Sequence, residues 1–542
     1  MKLIQKKMRE KKITTKWNSQ KGTDGYSITT ALKGLRPYLP QFAVSMLFSV
    51  TLYFMLLSRQ LVNSNDGLWE YSYYKAGKWS LSLGRWFWLY LDRLRFGFSP
   101  DPLTSLITLS CYCAGLLLML DLFEMGKRKA GYFACMLFLG SVSVCSSLTY
   151  RFMSPTFGTA FLLSMAAAWI IAKWKAPLLS PAAGSLLLAL SLGLYQSYIG
   201  CACIALSGYF LYSVSRQQTT GKEILAAMAR ALAAGVLGGI LYAIILNLHL
   251  SVFHIRLSDY NGASAYSLKN TILHLPDSIT RVYREFFRYF SEKSFLLTPV
   301  RELPLSYGVL APAAVCLLWL PVKCFKSDKI KALLGLFLIL LSPLACNIVV
   351  LAATAAEMSV LMTSAMALCL PVFLCLLSRI EYPRGFFPWI RRLGFLAAAL
   401  VLYGSIYQLQ IDQHALMEGQ AATVTMAEEI LHRLDEEDCL DSGLEYCVVG
   451  VPSHNDLFEI SRIYENSNMY ARFGSWYRDP SCSRRSWQGV FSHLCGINLT
   501  MCPSGEYGAL CSDEEVKNMP LYPESGFIAR RGNIVVVKIS DD

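Results

Sequence analysis

The chain has 542 residues, of which 54% are hydrophobic and only 16% charged, with a mean hydropathy of +0.38. A soluble domain carries roughly a quarter charged residues, so this balance excludes an ordinary soluble enzyme and points to a polytopic membrane protein. The net charge of +12 is unevenly spread: Met1 to Gln410 holds 40 Lys+Arg against 17 Asp+Glu, whereas residues 411–542 hold 10 against 21. A basic body therefore precedes an acidic tail long enough to be a domain. The basic excess falls in short segments between apolar runs, as the positive-inside bias places it, and does not indicate nucleic acid.

Residues 1–37 read as a basic cytoplasmic tail. Ten Lys/Arg lie in the first 36 positions against Glu10 and Asp24 alone, and no small-residue cleavage site follows the first apolar run. A membrane-crossing helix needs about 20 mostly apolar residues. Such spans are expected at 38–57, 103–122, 131–148, 157–172, 183–198, 199–214, 225–248, 305–322, 330–347, 358–378 and 393–410. The run 182–214 is too long for one span and is divided at Tyr198-Ile199-Gly200.

With the N-terminus inside, the predicted cytoplasmic loops carry Lys127-Arg128-Lys129, Lys173 and Lys175, Arg216 and Lys222, Lys323 to Lys331, and Arg379 to Arg392. All are short and basic, which favours eleven spans, a transmembrane body over 38–410 and an extracytoplasmic domain over 411–542. The fold class expected is an all-α polytopic membrane bundle with a small C-terminal α/β domain. YCVVGV and the closing GNIVVVKIS read as its strands, after a helix-like TMAEEILHRLDEEDCLDSG. Its six cysteines (Cys439, Cys447, Cys482, Cys495, Cys502, Cys511) suggest up to three disulfides of unassigned pairing, rather than a zinc site. The other eleven lie in or beside spans as small apolar residues.

Two outer loops are large, 58–102 and 249–304. The later one contains an amphipathic helix with Ile279, Val282, Phe286, Phe287 and Phe290 at helical spacing beside Arg281, Arg284 and Arg288. It either lies in the membrane interface or packs on the bundle. In the first loop, WSLSLGRWFWLYL reads as an interfacial helix with Trp79, Trp86 and Trp88 at headgroup level. Arg85 there either meets a lipid phosphate bidentately or snorkels.

No nucleotide-binding, zinc-protease or serine-hydrolase motif occurs, so the chemistry rests on acids and bases at the outer surface. Asp66 follows the first span closely. It reads either as a turn residue in Asn65-Asp66-Gly67 or as a carboxylate that takes the proton of an attacking sugar hydroxyl; a phosphate leaving group needs no strong general acid. Glu70 lies in the same loop, Arg151 in the short outer loop TYRFMSP, and Tyr195-Gln196 at the outer end of a span facing a cavity. Glu357 opens another span.

The stretch SNDGLWEYSYYKAGKWSLSLGRW, together with GLYQSYIG and the closing YPESGFIARRGNIVVVKIS, resembles the bacterial type II glucosyltransferases that modify O-antigens and related cell-surface polymers. The resemblance implies a GT-C-like membrane glycosyltransferase. Its expected partners are a polyprenyl-phosphate-linked sugar donor, a surface glycan acceptor and the bilayer of the bacterial inner membrane. It makes Asp66 the expected general base, with Asn65, Glu70, Arg85, Trp86, Arg151, Tyr195 and Gln196 as substrate-binding positions. The family commonly shows paired acids where this chain has Asn65-Asp66. One carboxylate suffices for a base, and a divalent Mg or Mn ion, used by some related enzymes, is left open as a cofactor. The alternatives are a flippase for a lipid-linked glycan, for which mid-span ionisable residues and a repeat are missing, and a non-catalytic glycan-assembly protein.

Overall fold

The computed structural model describes residues 34–63, 66–174, 176–258, 274–291, 306–352, 358–382, 385–455, 457, 466–467 and 480–541. Among the described residues seven helices are long and apolar enough to cross a membrane: Leu103–Leu122, Ser154–Lys173, Gln196–Ser215, Gly221–Val252, Tyr307–Cys324, Lys329–Cys346 and Phe387–Glu436. An eighth candidate is the pair Lys129–Leu139 and Val142–Thr149, bent by 49°. The spans expected at 38–57, 183–198 and 358–378 correspond to shorter helices, Leu39–Leu52, Leu179–Leu194 and Ser364–Arg379.

The division placed at Tyr198 is present as a break. The Leu179–Leu194 helix ends at Tyr195, a 3-10 turn runs over Gln196–Tyr198, and the next helix starts at Ile199. Ser164 holds this break from a neighbouring helix: its hydroxyl donates to the Tyr198 carbonyl at 2.6 Å and accepts from the Ala202 N–H at 3.0 Å. The Tyr198 phenol meets that of Tyr112 at 2.7 Å. Backbone groups freed inside an apolar bundle need such partners.

The last long helix runs from Phe386 to Glu436 without a break, 51 residues in all. At 1.5 Å per residue it extends to about 75 Å, well beyond a hydrocarbon layer of about 30 Å. It passes straight through the boundary expected at 410/411, because no Gly or Pro after Gly404 breaks its hydrogen bonding before Gly419, and the helix formers beyond continue it. Its far end becomes part of the C-terminal domain.

That domain holds a four-stranded sheet in the order β2-β1-β4-β3, with β1 at Glu445–Val449, β2 at Thr500–Met501, β3 at Ile528–Arg531 and β4 at Ile534–Lys538. β1 pairs in parallel with β2 and β4, and β3 is antiparallel to β4. Period-two alternation divides the sheet between two cores. Tyr446, Val448, Val535 and Val537 join Ile430, Leu434, Trp487 and Phe491 on one face; Cys447, Val449 and Val536 join Cys502, Tyr507 and Val516 on the other. Cys439, Cys447, Cys495, Cys502 and Cys511 are free thiols, so the expected disulfides are not formed among the described cysteines. The two faces separate Cys439 from Cys447 and Cys502. The Cys482 side chain lies outside the described part of the structure.

The amphipathic helix Leu275–Ser291 packs on the bundle: Val282, Phe286 and Phe290 are buried, and Asn347 Nδ2 donates to the Val282 carbonyl at 3.4 Å. The segment 79–91 is not one interfacial helix. It forms two short helices, Lys78–Ser82 and Trp88–Leu94, parted at Gly84. Trp79 is 55% exposed, whereas Trp86 and Trp88 are inside the protein at 4% and 1%. The tight turn at Gly84 brings Trp86 and Trp88 into the protein interior.

Candidate functional site

Gly84 has φ +79°, the left-handed region in which a side chain is strained. A Cβ there would lie 2.4 Å from the Tyr242 hydroxyl and 2.9 Å from Gln196 Nε2. The two side chains pin the turn. Gln196 Nε2 donates to the Leu83 carbonyl at 2.8 Å, and the Tyr242 hydroxyl donates to the Gly84 carbonyl at 3.2 Å. The Phe87 N–H reaches the Gly193 carbonyl at 2.8 Å, and the Trp86 ring stacks on His249 with centroids 5.6 Å apart.

This anchored turn presents Arg85 over the Tyr195 ring, 4.8 Å from its centroid. Arg85 Nη1 lies 3.8 Å from Met153 Sδ, and among the described residues neither its buried Nε nor the buried Trp86 Nε1 has an acceptor. Arg85, Trp86, Tyr195 and Gln196 therefore come together. Tyr242, His249 and Met153 belong to the same group and were missed. Each sits in an apolar or loop stretch with no spacing signal of its own.

Two neighbouring arginines, Arg151 and Arg95, are occupied. Arg151 Nε pairs with Asp101 at 2.6 Å, both side chains almost wholly buried, and its other nitrogens reach the carbonyls of Ser99 and Gln60 at 3.2 and 3.4 Å. Asp101 also accepts from the Ser105 N–H and hydroxyl at 3.0 and 2.9 Å. Arg151 thus ties the two ends of the first loop to the turn that carries it, rather than facing an open cavity. Arg95 Nε donates to Asp92 at 2.7 Å, and its Nη2 donates to the Phe152 carbonyl. Asp92 further accepts from the Ala76 N–H at 2.8 Å and from Trp88 Nε1 at 3.0 Å. Burial pushes the Asp92 carboxyl up, and Arg95 with these donors opposes the rise.

Asp66 opens a short helix, Asp66–Trp69. Its side chain, like Asn65 and Glu357, lies outside the described residues. Flanking positions show how this helix is held. Asn63 gives its backbone N–H and Nδ2 to the Thr149 carbonyl at 3.3 and 3.2 Å. Val62 and Leu68 are buried in the same core as Trp487, Val490 and Phe491 of the C-terminal domain. Tyr71 lies between the Arg151 guanidinium, 4.6 Å from its ring centroid, and the His493 ring at 6.0 Å. Glu70 is half-buried. Burial pushes the Tyr74 phenol up, and the Ser80 hydroxyl 2.8 Å away opposes the rise. Among the described residues no three His, Cys, Asp or Glu side chains gather as a metal-ligand set.

A helical bundle with span-length apolar helices, an aromatic loop built around arginines and a small appended sheet domain define a protein of membrane character. The sequence matches the family Glucosyl transferase GtrII over residues 70–378, more than half of the chain, and the protein belongs to that family. The matched stretch includes Glu70, Arg85, Trp86, Arg151, Tyr195 and Gln196 and starts just after Asp66. No curated protein and no solved structure matches the chain.

Proposed function

We propose that the protein transfers a glucosyl unit from a polyprenyl-phosphate carrier to a surface glycan on the outer face of the bacterial inner membrane. Asp66 takes the proton of the acceptor hydroxyl. The oxygen attacks the anomeric carbon, the bond from that carbon to the carrier phosphate breaks, and the configuration inverts in the single displacement. The leaving polyprenyl phosphate carries the negative charge away and is met by Arg85.

The observation that carries this reading is the pair of adjacent buried donors without acceptors, Arg85 Nε and Trp86 Nε1. Buried polar groups are normally paired, and an anionic phosphate supplies the missing acceptors. Elimination supports Asp66: the two other aspartates of the loop, Asp92 and Asp101, are each taken up by an arginine.

The topology proposed is eleven spans, with the three shorter helices and the bent pair counted beside the seven long ones. Contacts among the basic loops support it. Glu124 joins Arg216 and Arg379 at 2.8 and 2.7 Å, and the Lys331 ammonium reaches the Thr219 carbonyl at 2.9 Å. These loops therefore share one end of the bundle, and the C-terminal domain falls at the other.

The test is transfer from radiolabelled polyprenyl-phosphoglucose by the purified full chain. Glucose should move to the acceptor glycan, and Asp66→Asn should abolish turnover while the fold and donor binding persist. Full turnover by the Asn variant would remove Asp66 from the mechanism. Carrier movement across vesicles without bond formation would replace transfer by transport.

A further inference from the structure

On the end of the bundle that gathers the basic loops, three cations are matched by acids. Arg216 and Arg379 pair with Glu124, and Lys173 lies 3.6 Å from Asp121. Three arginines instead converge on one cavity. Arg128, from the turn after the Leu103–Leu122 helix, and Arg391 and Arg392, from the second turn of the Phe386–Glu436 helix, line a cavity of about 430 Å³ with Ser378 and Phe395. Among the described residues none of the three guanidiniums forms an ion pair with a carboxylate.

Three like charges brought from two separate elements to one cavity repel one another, and an anion relieves that cost. The surroundings are those of a membrane surface. Arg392 lies over the ring of Trp389, 5.1 Å from its centroid, and Trp389 is 64% exposed, as an aromatic at headgroup level is. Leu393, Leu396 and Leu400 follow it at helical spacing and are exposed, forming an apolar stripe that leads away from the cationic end. Phe395 lines the cavity between the two regions.

We propose that this cavity binds the phosphate headgroup of an anionic glycerophospholipid from the inner leaflet, with acyl chains along the Leu393–Leu400 stripe. Planar guanidiniums suit phosphate oxygens bidentately, and basic pockets between helices on the cytoplasmic side take lipid headgroups. The occupant is a resident lipid, distinct from the sugar donor, and the proposal does not depend on Asp66 or on the transfer reaction.

Native mass spectrometry of the full chain in neutral detergent, titrated with phosphatidylglycerol or phosphatidylcholine, tests it. The wild type should retain one phosphatidylglycerol in preference to phosphatidylcholine. The triple variant Arg128→Gln/Arg391→Gln/Arg392→Gln should weaken this on the order of 100-fold, and Arg391→Gln/Arg392→Gln at least about tenfold. Lys323→Gln/Lys326→Gln, which removes two exposed cations near the same surface, should leave it unchanged. Unaltered lipid retention by both arginine variants overturns the proposal. So does an equal loss in the lysine variant, which would indicate only general surface charge. Displacement of the lipid by equimolar inorganic phosphate, or stronger retention of polyprenyl phosphate than of phosphatidylglycerol, overturns it in favour of a free anion or the spent carrier.

Discussion

A Cβ placed on Gly489 would lie 2.1 Å from the Leu68 carbonyl oxygen and 2.9 Å from Trp69 Cα. The helix Pro480–Gly489 of the C-terminal domain thus lies directly against the backbone of the Asp66–Trp69 helix, a closeness only glycine allows. The C-terminal domain is a wall of the 58–102 loop, and the loop's own Leu68 is part of the domain's core.

Gly489→Val is accordingly expected to push the two backbones apart. Overpacking of this kind costs about 1–3 kcal/mol, and a displacement of about 1 Å at a reacting group costs roughly 100-fold in rate. Glucosyl transfer should fall by that order while donor binding, read by equilibrium retention of labelled carrier, changes little. Wild-type turnover in this variant would show that the domain does not position the loop.

Arg85→Lys keeps the charge but loses the planar fork and the stack on Tyr195. Removing one stabilising donor from a developing anion costs roughly 100- to 1000-fold in turnover, and lysine should recover only part of that. Steady-state kinetics against carrier concentration will show the loss in kcat if Arg85 meets the leaving phosphate, and none if it only packs on the tyrosine.

The Arg151–Asp101 pair is expected to matter through stability. Breaking a buried pair by removing one partner costs about 3–5 kcal/mol, whereas replacing both by apolar residues costs far less. Arg151→Ala should therefore lower the Tm of the purified protein sharply, and Arg151→Met/Asp101→Leu should restore much of it. Equal Tm losses in the two variants would argue for a role beyond the pair.

Docking of the domain on the loop should weaken in acid. Burial lowers the His493 pKa below its usual value of about 6.5, with a hydrogen bond to the Trp69 backbone opposing. The undocked histidine binds protons more readily than the docked one, so its contribution to docking is fully present above about pH 6.5 and weakens as pH falls below it. Protease cleavage of the 58–102 loop, followed from pH 8 to pH 5, should rise in the wild type and stay flat in His493→Gln. The same rise in both would assign it to another group.

The Leu103–Leu122 span, the break at Tyr195–Tyr198 and the strands Glu445–Val449 and Ile534–Lys538 could all be read directly. Each is written in consecutive residues, as an apolar run of membrane length, polar interruption or alternating valines. The GRW turn was legible as a feature but not in its shape. The positive φ at Gly84 is held by Tyr242, which is 158 positions away, and nothing near either residue announces that bond.

What the sequence settled by itself was the membrane character, the grouping of basic loops and the family, because hydropathy, charge and short motifs are local properties. Only the tertiary structure decided that Arg95 and Arg151 are spent on Asp92 and Asp101, while Arg85 has no carboxylate partner among the described residues. It alone showed that the C-terminal domain closes on the loop carrying Asp66. Those outcomes depend on which distant side chains compete for one carboxylate or one buried space, and such competition is resolved only when the chain is packed.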